Sequence, residues 1–118
     1  MYNKNNIFAK IIKGEIPAQK LYEDDELIAI ADINPVAPVH ILVFPKAEYV
    51  DFSDFIHNAS IEAVSHYFKT IVKIAQENGA SDYRLVTNKG EPSGQSVFHF
   101  HTHILSGLNK TNLMEQDL

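Results

Sequence analysis

The sequence contains no cysteine and no tryptophan. Disulfides and thiolate metal sites are therefore excluded. Glycine and proline are sparse, five of each in 118 residues. No stretch concentrates them into a linker or a low-complexity tract, and no segment repeats, so the chain reads as one domain over 1–118. Long apolar runs are missing too. None approaches the ~20 residues of a membrane span, and the polar start Tyr2-Asn3-Lys4-Asn5-Asn6 lacks the apolar core of a signal peptide. The expectation is a cytoplasmic protein with no membrane partner. Positive charge is also short, with 10 Lys and Arg against 15 Asp and Glu and a net charge of −5. Long nucleic acids need a basic footprint and are excluded as partners. A small anion held by a few local donors is not.

What is present is apolar material, 45% of the residues. A chain of this size buries about two-thirds of its unfolded surface, so it folds without staples. Ile7, Phe8, Ile11 and Ile12 form two i,i+4 pairs, the pattern of a short amphipathic helix stopped by Gly14. Apolar runs predict strands over 20–22, 27–32 and 40–44, the last closed by Pro45. The longest helix is expected over 59–78, with a buried stripe of Ile61, Val64, Phe68, Ile71 and Ala75. Asn58 or Ser60 is placed to cap its start and Gly79 to end it, while His66 points off the stripe and reads as a solvated surface residue. Strands over 83–87 and 96–105 follow, separated by the loop Asn88-Lys89-Gly90-Glu91-Pro92-Ser93-Gly94. The sum is an α+β domain, a mostly antiparallel five-stranded sheet with one long helix on one face and a short N-terminal helix.

The chemistry concentrates in Phe98-His99-Phe100-His101-Thr102-His103-Ile104. A strand alternates faces, so His99, His101 and His103 share one side while Phe98, Phe100 and Ile104 take the other and pack on the helix. Three imidazoles are an expensive core, because each brings two ring nitrogens that need partners. One use is metal binding, but neighbours along a strand face are about 7 Å apart and the outer pair about 13 Å, a poor fit unless His40 adds a ligand from another strand. The other use is nucleophilic and acid–base chemistry, in which a neutral imidazole attacks phosphorus and its neighbours orient it. Backbone N–H groups and Ser96 are placed to bind the same phosphoryl oxygens.

The run from His99 to Leu105 resembles the signature of the histidine-triad family. Gly94-Gln95-Ser96-Val97, the loop from Asn88, the start Ile7-Phe8-Ala9-Lys10-Ile11-Ile12 with Glu15-Ile16-Pro17-Ala18, and the central Asp32-Ile33-Asn34-Pro35-Val36-Ala37-Pro38-Val39-His40 with Ile41-Leu42-Val43-Phe44-Pro45-Lys46 are similar to its Hint branch. The resemblance implies a purine nucleoside 5'-phosphoramidate hydrolase that forms a nucleotidyl-histidine on His101 and binds AMP, GMP or their phosphoramidates, with no cofactor and no metal. It implies that His99 supports His101 partly through its carbonyl, and that His103 and His40 lie near the phosphate. Gln95, Ser96 and Asn88 would bind phosphate or assist the leaving group, and Asp32 would accept from the ribose hydroxyls. Ile7, Phe8, Ile11, Ile33 and Leu42 would line the base pocket. Relatives of this kind form homodimers. Thr102 departs from the apolar residue usual at its position, and the tail 108–118 lacks tryptophan, which leaves the leaving group open. The alternatives are a dinucleoside polyphosphate hydrolase, a non-enzymatic purine-nucleotide-binding regulator and a histidine-ligated metalloenzyme.

Overall fold

The computed structural model describes residues 2–107. Its elements are α1 (Ile7–Ile12), β1 (Lys20–Glu23), β2 (Leu27–Ala31), β3 (Val39–Pro45), α2 (Phe52–Asn58), α3 (Ile61–Glu77), β4 (Arg84–Val86), a 3-10 turn (Glu91–Ser93) and β5 (Thr102–Ser106). The five strands form one sheet in the order β1-β2-β3-β5-β4, and every neighbouring pair is antiparallel. This is the expected α+β architecture.

Both faces of the sheet are covered, which is why β2 and β3 read as continuous apolar runs. Leu27, Ala29, Ile41, Val43 and Ile104 face α3 and meet Tyr67, Ile71, Ile74 and Ala75. The alternate residues Ile28, Ile30, Leu42 and Phe44 face the other way and meet Phe8 and Ile11 of α1. Asn6 caps α1 by accepting from the Ala9 N–H at 2.9 Å, and Ser60 caps α3 by accepting from Ala63 at 3.0 Å. Gly79 follows α3 with φ +77°, a conformation suited to glycine.

Four expectations need correction. The stripe on α3 is rotated: Tyr67, Thr70, Ile71, Ile74 and Ala75 are buried, whereas Ile61 is 84% exposed and Phe68 36%. The Tyr67 hydroxyl accounts for the turn, since it donates to the Val43 carbonyl and pairs with Thr102 Oγ1, both at 2.8 Å. His66 is not merely solvated, because its Nε2 lies 2.7 Å from Asp24 Oδ2. The strand expected over 96–105 is regular only over Thr102–Ser106. Residues 97–99 bend instead, and Phe98 is 40% exposed rather than packed on the helix. Finally, α2 was not expected. Asp51 caps this short helix by accepting from the Asp54 N–H at 2.8 Å, Asp54 accepts in turn from the Val50 N–H at 2.9 Å, and the helix's buried anchor is Phe55.

Candidate active site

The face covered by α1 carries the histidines. In the β3–β5 pairing His40 stands opposite Leu105, and Leu42 opposite His103. Opposed residues share a face, so the two histidines are diagonal neighbours on it. His40 Nε2 lies 2.9 Å from His103 Nδ1 and 3.2 Å from Asp32 Oδ2. Asp32 sits just beyond β2, where its N–H donates to the His40 carbonyl at 3.0 Å. Its Oδ1 accepts from the Asn34 N–H at 2.7 Å, so one carboxylate oxygen holds the turn and the other faces His40.

The partners fix the protons. The Val36 N–H points at His40 Nδ1 from 3.1 Å and can only donate. His40 Nδ1 is therefore a lone pair and the neutral ring carries its proton on Nε2. Facing that N–H, His103 Nδ1 must accept, which places the His103 proton on Nε2. This Nε2 is buried and has no partner among the described residues. A buried donor left unpaired costs about 1–3 kcal/mol, and a ligand's anionic oxygen is the kind of group that would offset it.

A second chain of bonds fixes His101. Its Nδ1 lies 2.7 Å from the His99 carbonyl, an acceptor, so Nδ1 carries the proton and Nε2 is left as a lone pair. His99 Nε2 lies 2.7 Å from the Pro45 carbonyl and donates to it, so His99 Nδ1 accepts from the Tyr2 hydroxyl. Phe8 stacks on Phe44 and meets the His101 ring edge-on at 4.9 Å between centroids. Burial lowers the pKa of all four imidazoles, taking His99 and His103 to about 4 and drawing His40 and His101 below their usual value. Burial penalises the charged form, so all four rings are neutral at pH 7. A neutral imidazole with an oriented lone pair beside an unpaired N–H donor suits attack on a phosphoryl group.

The structure gathers His40, His99, His101, His103 and Asp32 as the sequence analysis expects, although His99 and His101 precede the regular strand. Thr102 faces away toward Tyr67, which accommodates its hydroxyl. Leu42, Phe8 and Ile11 lie in the apolar cluster on this face, while Ile7 and Ile33 are 42% and 85% exposed. Ser96 is exposed. Gln95 is 3% exposed and its amide is already spent. Its Nε2 donates to the Val50 and Val97 carbonyls and its Oε1 accepts from Gly90, so it shapes the loop before the histidines. Asn88 packs under Gly94, whose missing Cβ would sit 3.7 Å from the Asn88 amide nitrogen. Tyr2, the Val36 N–H and the Pro45 carbonyl were missed. Two of these are backbone groups, which sequence patterns do not display, and Tyr2 stands in a polar start without periodicity.

Asp32, His40 and His103 place ligand-type atoms within 4.8 Å of one another. The Val36 N–H opposes a metal there. A metal on His40 Nε2 would move the ring proton to Nδ1, against that N–H, leaving two donors face to face. The cluster is better suited to holding a proton than an ion.

Comparison with known proteins points to one family. The family described as HIT domain matches residues 13–110. An uncharacterised HIT-like protein of Rickettsia prowazekii is 52% identical over 119 residues, covering 99% of each chain. The protein pkiA of Dictyostelium discoideum is 47% identical over 108 residues, covering 88% of this chain and 84% of its own. Among solved structures, a HIT family hydrolase from Clostridium thermocellum superposes with TM-score 0.84 at 40% identity, covering 93% of this chain and 96% of its own. A histidine triad protein from Clostridium difficile does so with TM-score 0.83 at 46% identity, covering 95% and 98%.

Proposed function

The chain belongs to the HIT family, and from that premise we propose that it hydrolyses purine nucleoside 5'-phosphoramidates through a nucleotidyl intermediate on His101. The observation that carries the reading is the bond from His101 Nδ1–H to the His99 carbonyl at 2.7 Å, which leaves Nε2 of a neutral ring as the free lone pair. In the first half, His101 Nε2 bonds to the α-phosphorus while the P–N bond breaks. The amine departs with a proton drawn from water. The His103 Nε2–H, buried and without a partner among the described residues, donates to a phosphoryl oxygen as charge develops there. In the second half water attacks phosphorus and the P–N bond to His101 breaks. The nucleoside monophosphate leaves, the ring regains its lone pair and the borrowed proton returns to solvent. Splitting one displacement into two lets a single oriented imidazole serve both.

Asp32 Oδ2 is the acceptor we assign to the ribose hydroxyls, and the apolar positions Ile7, Phe8, Ile11, Ile33 and Leu42 to the purine. The protein is further proposed to act as a homodimer, in keeping with the sheet-edge position of β4 and the 45% exposure of its Leu85. Sedimentation of a single monomeric species would overturn the dimer.

The test is hydrolysis of adenosine 5'-phosphoramidate, with chelator present, by the wild type and by His101→Ala. Wild-type turnover that falls by about 10³-fold or more in the variant is expected for loss of a nucleophile. Comparable turnover in the two proteins overturns the assignment of His101. Faster wild-type turnover of a dinucleoside polyphosphate than of the phosphoramidate would transfer the reading to a phosphate leaving group.

A further inference from the structure

His99 is fully buried and walled by aromatic rings. Tyr2, Phe8 and Phe44 meet it edge-on with centroids 5.5, 6.1 and 5.7 Å away. Its Nε2 is committed to the Pro45 carbonyl at 2.7 Å, and a carbonyl only accepts, so the ring proton stays there. Its Nδ1 is left as a lone pair that faces the Tyr2 hydroxyl. The same residue's carbonyl is what orients His101. Tyr2 thus lies two hydrogen-bonded steps from the nucleophile. It also lies outside residues 13–110, which match the HIT domain, so this contact is supplied by the segment that precedes the matched region.

We propose that Tyr2 is a positioning residue for the reaction: its hydroxyl holds the His99 ring in one tautomer and orientation, and thereby holds the carbonyl on which His101 depends. The inference rests on the reading of His101 as nucleophile. Tyr2 is partly buried on its own account, and Asn6 nearby caps α1, so the start of the chain is tied to the helix that covers the site. Without the hydroxyl, His99 Nδ1 has an apolar wall of rings and no donor. A buried lone pair without a donor favours rotation of the ring or capture of a proton, and either one disturbs the backbone at His99. The sign of the pH effect follows. A donor to the lone pair stabilises neutral His99 over its protonated form. Removing it raises the His99 pKa and moves the acid limb of activity to higher pH.

The experiment compares wild type with Tyr2→Phe, which keeps the ring and removes only the hydroxyl. The expected kinetic result on adenosine 5'-phosphoramidate is a kcat lowered roughly 3- to 15-fold, the range of a lost hydrogen bond of ordinary strength, with KM changed less than 2-fold and the acid limb displaced upward. A second arm needs no turnover. Nitrogen NMR of the histidine side chains in the free protein should show the His99 Nδ1 signal shifted in Tyr2→Phe, together with the Nδ1–H signal of His101. Unchanged His99 and His101 signals overturn the proposal whatever the kinetics. Shifted signals with unchanged kcat and acid limb in an active enzyme overturn it too, because the contact is then present without consequence. If the wild type does not turn over the phosphoramidate, the proposed activity falls, and the His101 signal alone decides whether Tyr2 positions that ring.

Discussion

His103 Nε2 carries a proton with no acceptor among the described residues, while His40, one ring away, has both nitrogens engaged. That contrast separates a histidine that holds its neighbour from one that is offered to a ligand. It also makes the site pH-sensitive in a definite direction. An unfolded histidine titrates near 6.5, whereas His99 and His103 in the folded chain do so at about 4. Between those values the unfolded chain binds more protons than the folded one, so stability rises with pH. These residues contribute fully above about pH 6.5 and the contribution is lost as pH falls toward 4. Asp24 acts in the same sense but at lower pH, held down at about 2 by hydrogen bonds from Tyr22, from the Glu26 and Leu27 N–H groups and from His66 that outweigh its burial. Its contribution is constant across this window and fades only below about pH 4. Urea unfolding at pH 7.5, 6 and 5 should show a loss of a few kcal/mol by pH 5. A flat profile would mean that the imidazoles are not buried neutral. At this scale the sequence was informative about identity and silent about protons. His99, His101 and His103 advertise themselves by alternation, but the tautomers depend on the Val36 N–H and the Pro45 carbonyl, backbone groups that side-chain patterns do not display.

Elements were legible where periodicity ran long and misread where bonds outside the regular ladders decided the path. Residues 96–101 alternate like a strand, yet the Phe100 N–H donates to the Tyr49 carbonyl at 2.7 Å and the His101 carbonyl accepts from Thr87 Oγ1 at 2.8 Å. No ladder remains for them to join, although the alternation of faces survives: Phe100 reaches the α3 side and His99 the opposite one. The helix α3 was found, but its roll was set by the Tyr67 hydroxyl, which apolar periodicity counts for nothing. That hydroxyl, Thr102 Oγ1 and the Val43 carbonyl form one buried knot joining α3 to β3 and β5. Tyr67→Phe and Thr102→Val should each cost about 1–2 kcal/mol, because each strands a polar partner, while the double variant should cost less than the sum. Chemical denaturation of the four proteins checks this. Strict additivity would show that the two hydroxyls do not interact.

The molecule as a whole is a sheet covered unequally. One face lies under the 17 residues of α3, the other under the six of α1, and the histidines occupy the thinly covered face. A thin cover makes the cover itself part of the site. Apolar alternation in β2 and β3 announces that both faces are buried, but not which cover is the shorter, since that depends on how far each helix reaches across the sheet. The asymmetry predicts that equal damage on the two sides has unequal consequences. Phe8, 5% exposed, and Ile74, fully buried, are each core residues, and truncation of either to Ala should cost about 2–5 kcal/mol. Ile74 touches the histidines through nothing but the sheet, so Ile74→Ala should keep its kcat per folded molecule. Phe8 packs against His101 and His99, so Phe8→Ala should lose most of its activity even at a temperature where circular dichroism shows it folded. Matching the two variants for stability and assaying them at that temperature separates a general loss of fold from a local loss of the site. Equal retention of activity would mean that the cover on the α1 side takes no part in holding the histidines, and equal loss would mean that damage to either face reaches the site.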